Sequence, residues 1–195
     1  MPYRVLIVDD HPIVRRGLRS LLRDESSLEV CGEATDVTSA MDLLKTAKPD
    51  IAVVDISLDG GNGLDLVKRI TTKHSSTKSL VLSMHEESLY AERALRAGAK
   101  GYVHKDAAPE NVLDAIRQIL AGHVYLSPDM TERFLFQLVQ GCELDKPAES
   151  TLTDRQLEVL GLIGEGLATR EIAKRLQLSI KTIETHRDHI RQKLN

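Results

Sequence analysis

The stretch Arg4-Val5-Leu6-Ile7-Val8-Asp9-Asp10 joins a short, continuously apolar run to two acidic residues. Three later runs repeat the pattern: Ile51-Ala52-Val53-Val54 leads to Asp55, Ser79-Leu80-Val81-Leu82 leads to Ser83, and Gly101-Tyr102-Val103 is followed closely by Lys105. Short apolar strands of this kind are typical of a parallel sheet that is covered on both faces. Because ligand sites in such sheets form outside the carboxyl ends of the strands, we expect these polar residues to share one crevice.

The crevice would contain three carboxylates, those of Asp9, Asp10 and Asp55. Carboxylates held this close repel one another unless a cation lies among them. Mg²⁺ takes oxygen ligands and keeps part of its water, and Lys105 supplies further positive charge. We therefore expect a Mg²⁺ site made by Asp9, Asp10, Asp55 and the backbone carbonyl of Ser57.

This set of groups suits the transfer of a phosphoryl group to a carboxylate. Carboxylates are known covalent nucleophiles, and Asp55 is the lone acid at the end of the central strand. The ion and Lys105 would neutralise charge on the phosphoryl oxygens, and Ser83 would donate a hydrogen bond to one of them. Taken singly, each residue also fits a role as a helix cap, turn or loop residue. Their joint occurrence at four strand ends favours the site.

The first part of the chain alternates strands and helices five times, with helices predicted near 12–23, 36–47, 63–72, 87–97 and 109–121. Such alternation predicts an α/β fold with a doubly wound, five-stranded parallel sheet. Ser127-Pro128 predicts the start of a further helix that runs to about Gln140, followed by a linker over 141–151. Packing of this helix on the first domain and a role between domains both remain open. The expected domains are 1–122, a connector over 123–150, and 151–195.

Composition excludes several classes of protein. No run approaches the ~18 apolar residues that a membrane helix requires, so no membrane contact is expected. Cys31 and Cys142 are far apart and lack the spacing of metal ligands, which favours a reduced, cytoplasmic chain. Aromatic residues make up 3% of the chain and Trp is absent, which argues against binding by base stacking.

Charge is distributed unevenly along the chain. Residues 1–150 contain 18 Lys or Arg and 23 Asp or Glu, a net charge of −5, whereas residues 151–195 contain eight and six, a net charge of +2. An acidic first domain and a basic tail suggest that only the tail meets a polyanion.

The tail is predicted to be helical throughout. A helix that follows Thr153 is expected to end at Gly164 and Gly166, a second runs from Thr169 to Leu176, and a third is capped by Ser179 and extends to Leu194. Two helices joined by a short turn form a helix-turn-helix, whose second helix can enter the DNA major groove. Periodicity alone leaves a protein-docking module equally open. The outward residues of the third helix are the candidates for DNA contacts: Lys181, Thr182, Glu184, Thr185, His186, Arg187, Asp188, Arg191 and Lys193.

The first domain resembles the flavodoxin-like receiver domain of two-component response regulators over roughly residues 3 to 121. The matching positions are the acidic pair Asp9 and Asp10, the phosphoacceptor Asp55, the switch residues Ser83 and Tyr102, Lys105, and the segment 94–105. The resemblance implies phosphorylation of Asp55 by a sensor histidine kinase, after which Ser83 moves to the phosphoryl group and Tyr102 turns inward. Two positions depart from the common pattern: Asp59 stands where proline is frequent, and Ser83 stands where threonine is commoner.

The tail resembles the LuxR-type DNA-binding domain. The matching segments are 152–160, 171–176, 179–186 and Lys193-Leu194, whereas that domain's usual last helix has no counterpart before Asn195. Together the two resemblances identify a bacterial transcriptional regulator of the NarL/FixJ class rather than an enzyme. They imply a homodimer after phosphorylation and two half-sites on double-stranded DNA about one turn, ~34 Å, apart. Glu184 and Asp188 would read bases, and Lys181, Arg187, Arg191 and Lys193 would contact phosphates.

Two other functions fit parts of the pattern. One is a DNA-binding regulator whose receiver serves only as a dimer platform, without control by phosphate. The other is a phosphohydrolase with an aspartate nucleophile, which commonly has a second acid two residues after the first. Ser57 occupies that position here and argues against it.

Overall fold

The computed structural model describes residues 1–59, 61–140 and 151–194. They form two compact units, Met1–Arg133 and Phe134–Asn195. Most of the linker predicted at 141–151 lies outside the described residues. No helix in the described ranges is both long and apolar enough to cross a bilayer.

The first unit has the predicted architecture. Its strands are β1 (Tyr3–Val8), β2 (Leu28–Ala34), β3 (Ile51–Val54), β4 (Ser57–Leu58), β5 (Gly61–Asn62), β6 (Lys78–Ser83) and β7 (Gly101–His104). Its helices are α1 (Pro12–Arg23), α2 (Val37–Ala47), α3 (Gly63–Lys73), α4 (Glu87–Ala97) and α5 (Pro109–Leu120), and α6 (Pro128–Gln140) follows. Five strands form one parallel sheet in the order β2-β1-β3-β6-β7, which confirms the predicted fold class.

Burial explains why the central strand β3 has a continuously apolar sequence. All four residues of β3 are buried, because β3 is the central strand and helices cover both faces of the sheet. The same core contains Ile7, Leu80 and Val103 from the neighbouring strands and Ile116 from α5. Because the buried strand β3 ends at Val54, Asp55 lies directly at the carboxyl end of the sheet.

The segment after Asp55 contains a short hairpin where the sequence suggested only a loop. Strands β4 and β5 pair in antiparallel fashion, with Ser57 opposite Asn62. Asn62 caps α3 by accepting a hydrogen bond from the N–H of Leu64 at 2.8 Å. A Cβ atom on Gly63 would lie 1.9 Å from the backbone oxygen of Asp55, so only glycine lets the chain return this close to the acid.

The chain after α5 extends the edge of the sheet before it enters α6. The N–H of Tyr125 donates to the Lys100 carbonyl at 2.9 Å, and the Tyr125 carbonyl accepts from the N–H of Tyr102 at 3.1 Å. The Ser127 hydroxyl then accepts the N–H of Met130 at 3.2 Å, which confirms that Ser127-Pro128 begins a helix.

The second unit contains α7 (Asp154–Gly164), α8 (Thr169–Arg175) and α9 (Ile180–Leu194). Thr153 caps α7, and Ser179 accepts the N–H of Thr182 at 3.0 Å at the start of α9. Ile172, Ile183 and Ile190 are buried where α8 and α9 pack. The first tail helix ends at Gly164, as predicted, and the chain turns at Gly166, where φ is +83°.

Candidate functional site

Lys105 joins the polar ends of three strands. Its Nζ lies 2.7 Å from Oδ2 of Asp9 and 2.7 Å from Oδ2 of Asp55. The Asp9 and Asp55 side chains are only 2% and 3% exposed, and that of Lys105 is 9% exposed. The carboxyl ends of β1 and β3 thus meet the residue that follows β7, as the sequence predicted.

Burial and neighbouring charges both shift the pKa values of these ionisable groups. Burial raises the pKa of Asp55, and the positive charge of Lys105 only partly offsets this effect. Burial likewise raises the pKa of Asp10, with the negative charges of Asp59 and Asp9 adding to it and His11 opposing it. Burial acts to lower the pKa of Lys105, but the charges of Asp55 and Asp9 outweigh it and raise the pKa above its ordinary value. The pocket therefore has an excess of negative charge that one lysine does not neutralise.

The acid cluster fits a divalent cation. One ligand atom from each of Asp9, Asp10, His11 and Asp55 lies within 4.8 Å of the others. Among the described residues, Oδ1 of Asp10 is buried and makes no hydrogen bond, although it lies 2.7 Å from Nδ1 of His11. A buried carboxylate oxygen without a hydrogen bond is costly, and a metal ion would satisfy it. Oxygen ligands of this kind suit Mg²⁺.

Ser57 and Ser83 are linked through His85. The Ser57 hydroxyl lies 3.0 Å from Nε2 of His85, and the His85 N–H donates to the Ser83 hydroxyl at 3.3 Å. The His85 ring stacks on Tyr90 with centroids 4.5 Å apart.

Tyr102 is fully buried, and its hydroxyl donates to the backbone carbonyl of His85 at 2.5 Å. Burial raises the pKa of Tyr102, so the phenol stays protonated as the donor. The inward position that the resemblance assigns to the phosphorylated state is thus already occupied by this ring. Asp59 is exposed beside the cluster, and its charge acts on Asp10.

The predicted DNA-contact residues lie along α9 with different degrees of exposure. Lys181, Glu184, Thr185, Asp188 and Arg191 are exposed. Thr182, His186 and Arg187 are half-buried. Burial lowers the pKa of His186, with Arg155 and His189 adding to the effect. The Asp188 carboxylate lies 3.7 Å from Arg191, which leaves α9 with a mixed-charge outer face.

Lys193 makes contacts inside the second unit. Its Nζ donates to the Thr151 carbonyl at 3.0 Å and to Oε1 of Gln156 at 2.9 Å. These bonds join the end of α9 to the start of α7. Sequence periodicity gave Lys193 an outward position but could not reveal this contact across 42 residues.

Comparisons with known proteins agree with both parts of this description. A family model for the response regulator receiver domain matches residues 5–117, and a model for bacterial regulatory proteins of the luxR family matches residues 150–195. The oxygen regulatory protein NreC of Staphylococcus carnosus (strain TM300) is 36% identical, over 98% of this chain and 91% of its own. The response regulator UvrY of Escherichia coli (strain K12) is 33% identical, over 98% and 87%.

A solved structure extends the likeness to the fold. RcsB of Salmonella enterica serovar Typhimurium, bound to promoter DNA in the presence of phosphomimetic BeF3⁻, has a TM-score of 0.71 and 29% sequence identity, covering 100% of this chain and 93% of that one.

Proposed function

Because this chain belongs to the NarL/FixJ class of bacterial response regulators, which join a receiver to a LuxR-type DNA-binding domain, we propose that phosphorylation of Asp55 controls its binding to DNA. The observation that carries the proposal is the buried Lys105 bridge between Asp9 and Asp55 beside the Asp10 carboxylate, within one cluster of possible metal ligands. This pocket has a nucleophile in Asp55, a cation in Lys105 and enough remaining negative charge to bind a divalent ion. The proposed parts are a receiver over 1–122, a connector over 123–150 and a DNA-binding domain over 151–195.

The reaction follows from the properties of the side chains. An Asp55 carboxylate oxygen attacks the phosphorus of a phosphohistidine on a sensor kinase, the phosphorus–nitrogen bond breaks, and the histidine leaves with its electron pair. Asp9, Asp10, Asp55 and the Ser57 carbonyl would hold Mg²⁺, which would neutralise charge on the phosphoryl oxygens. Lys105 pairs with a phosphoryl oxygen, and the Ser83 hydroxyl donates to another.

The movement of Ser83 changes the segment that follows β6. The His85 N–H loses its hydroxyl partner when Ser83 turns to the phosphoryl group, so the start of α4 shifts towards a second arrangement. That shift favours a homodimer, in which two copies of α9 reach half-sites on the same face of DNA. Lys181, Arg187 and Arg191 contact phosphates, while Thr182, Glu184, Thr185, His186 and Asp188 face base edges. Lys193 supports this interface by holding α7 against the end of α9.

The first test measures the phosphoryl group itself. The full chain is mixed with Mg²⁺ and an acyl phosphate and weighed by intact mass spectrometry beside Asp55→Asn. We expect one phosphoryl adduct on the natural chain and none on the variant. An equal adduct on both proteins, or none on either, would contradict the assignment of Asp55 and favour a regulator without phosphate control. The phosphorylated chain is then compared with the untreated chain for binding to a DNA duplex.

A further inference from the structure

The side chain of Glu87 connects the first turn of α4 to the residue that caps α6. Its Oε1 accepts a hydrogen bond from the backbone N–H of Ser127 at 3.0 Å. Ser127 in turn caps α6, because its hydroxyl accepts the N–H of Met130 and its carbonyl accepts the hydroxyl of Thr131 at 3.0 Å. The two joined residues are 40 positions apart in the sequence. The start of α6 is therefore fixed by a tertiary contact as well as by its own cap.

A second set of bonds holds the same segment to the sheet. Tyr125 makes backbone hydrogen bonds with Lys100 and with Tyr102, so residues just before Ser127 lie along the edge of β7. Burial raises the pKa of Tyr125, and the negative charges of Asp114 and Glu87 add to this rise. Glu87 thus lies close to the extended edge as well as to Ser127. The start of α6 is held between β7 and α4.

The α4 side of this contact adjoins the proposed switch. Glu87 follows His85 by two residues, and the backbone of His85 bonds both the Ser83 hydroxyl, through its N–H, and the Tyr102 hydroxyl, through its carbonyl. Any turn of Ser83 towards a phosphoryl group removes one of these bonds. Glu87 lies in the first turn of α4, two residues beyond these bonds, whereas Tyr125 is paired with β7.

We propose that the Glu87–Ser127 hydrogen bond is a latch that fixes the start of α6 to α4 in the unphosphorylated chain and opens when Asp55 is phosphorylated. Glu87 is a positioning residue in this scheme, since it touches no reacting atom and acts through α6. The inference rests on the proposed function, because the opening signal is the aspartyl phosphate. Linkage adds a second consequence: a bond that phosphorylation breaks opposes phosphorylation, so removal of Glu87 favours the phosphorylated form.

The latch is tested first in the unphosphorylated full chain, by amide hydrogen exchange. We expect Glu87→Ala to speed exchange of the Ser127 amide roughly tenfold, as the loss of one hydrogen bond to a charged group predicts. The Tyr102 and Tyr125 amides should stay protected, and Glu87→Gln should restore most of the protection because its amide oxygen still accepts. Glu92→Ala is the matched control on the same helix, since Glu92 pairs with Arg96 on the surface of α4. An unchanged Ser127 rate in Glu87→Ala would overturn the latch.

The coupling is tested by repeating the measurement with Mg²⁺ and an acyl phosphate, while intact mass reports the adduct. Phosphorylation should speed Ser127 exchange in the natural chain roughly to the level of Glu87→Ala, with no further change in that variant. At a limiting donor concentration Glu87→Ala should also carry more phosphate than Glu92→Ala. A complete adduct with a Ser127 amide that remains protected would overturn the latch and leave the proposed function intact. Absence of any adduct would overturn the proposed function and with it the coupling.

Discussion

At the scale of single residues, the ionised Asp55 side chain lowers the stability of the folded state because it is buried. Because burial raises its pKa, the folded state binds a proton more tightly there than the unfolded chain does. The ionised Asp55 lowers the free energy of unfolding by its full amount above the raised pKa. This destabilisation disappears as pH falls towards the ordinary pKa of 3.8. Groups with a chemical task commonly carry such a penalty.

Asp55→Asn should therefore stabilise the protein when Mg²⁺ is absent. We expect the free energy of unfolding at pH 7 to rise by ~0.5–2 kcal/mol, the range that single stabilising substitutions commonly reach. The gain should shrink as pH is lowered through the raised pKa of Asp55. Urea unfolding followed by circular dichroism at several pH values measures both effects. Asp42→Asn, at an exposed position on α2, should change little at any pH, and a destabilised Asp55→Asn would refute the argument.

The place of Asp10 in the acid cluster predicts the response to metal. A ligand that binds only the folded state stabilises it by ~2.7 kcal/mol at a hundredfold excess over its dissociation constant. We expect Mg²⁺ to raise the melting temperature of the natural chain and to lose this effect in Asp10→Asn. Asp59→Asn is the matched control, because Asp59 is an exposed neighbour that acts on Asp10 through its charge, and it should keep most of the rise. Equal stabilisation of all three proteins would contradict the metal site.

At the scale of elements, a comparison of two glycines at helix ends distinguishes the cost of backbone strain from the cost of side-chain crowding. Gly98 has φ +105° and Gly122 has φ +98°, a region that costs other residues ~1–2 kcal/mol. A Cβ on Gly98 would lie 2.2 Å from the Thr71 hydroxyl, whereas a Cβ on Gly122 would have nothing within 4 Å. The two glycines therefore have similar backbone conformations, but only Gly98 lacks room for a Cβ atom.

Gly122→Ala should lower the free energy of unfolding by only the backbone cost, ~1–2 kcal/mol. Gly98→Ala should cost a further ~1–3 kcal/mol because Thr71 must move. The Thr71 hydroxyl also bonds the Val67 and Ala97 carbonyls, so this displacement loosens the packing of α3 on α4. Adding Thr71→Ala to Gly98→Ala should recover part of the loss in urea unfolding. Equal losses in the two single variants would show that crowding at Thr71 is unimportant.

The elements also show what the sequence could and could not reveal. Four strands of the main sheet and the main helices follow from hydrophobic runs and caps, because burial on both faces of a sheet leaves a continuous apolar signal. The edge strand β2 contains Glu29 and Glu33 and has no such run. The hairpin of β4 and β5 was missed, since two-residue strands have no periodicity to detect. Grouping of Asp9, Asp55 and Lys105 was predictable from strand order, but the shared bridge through Lys105 depends on side-chain reach. The contact of Lys193 with Thr151 likewise depends on the tertiary structure and could not be predicted from the sequence.

At the scale of the whole molecule, the acidic first domain and basic tail predict a DNA affinity that depends on salt. Each phosphate contact contributes ~0.9 to the slope of log affinity against log salt concentration. Lys181 is exposed at the start of α9, and Lys193 is exposed near its end but bonded to Thr151 and Gln156. The two lysines form a matched pair, one expected to contact DNA and the other expected to hold the tail together.

Lys181→Gln should reduce the slope by ~0.9 if one copy of the phosphorylated chain binds, and by ~1.8 if two copies bind, because each copy loses one contact. Lys193→Gln should leave the slope nearly unchanged and instead lower the stability of the tail by ~1 kcal/mol. Fluorescence anisotropy with a labelled DNA duplex over a range of salt concentrations gives the slopes. A reduction near the larger value supports the homodimer on paired half-sites, and the smaller value supports a monomer. A slope that falls for Lys193→Gln but not for Lys181→Gln would contradict the roles assigned to the two lysines.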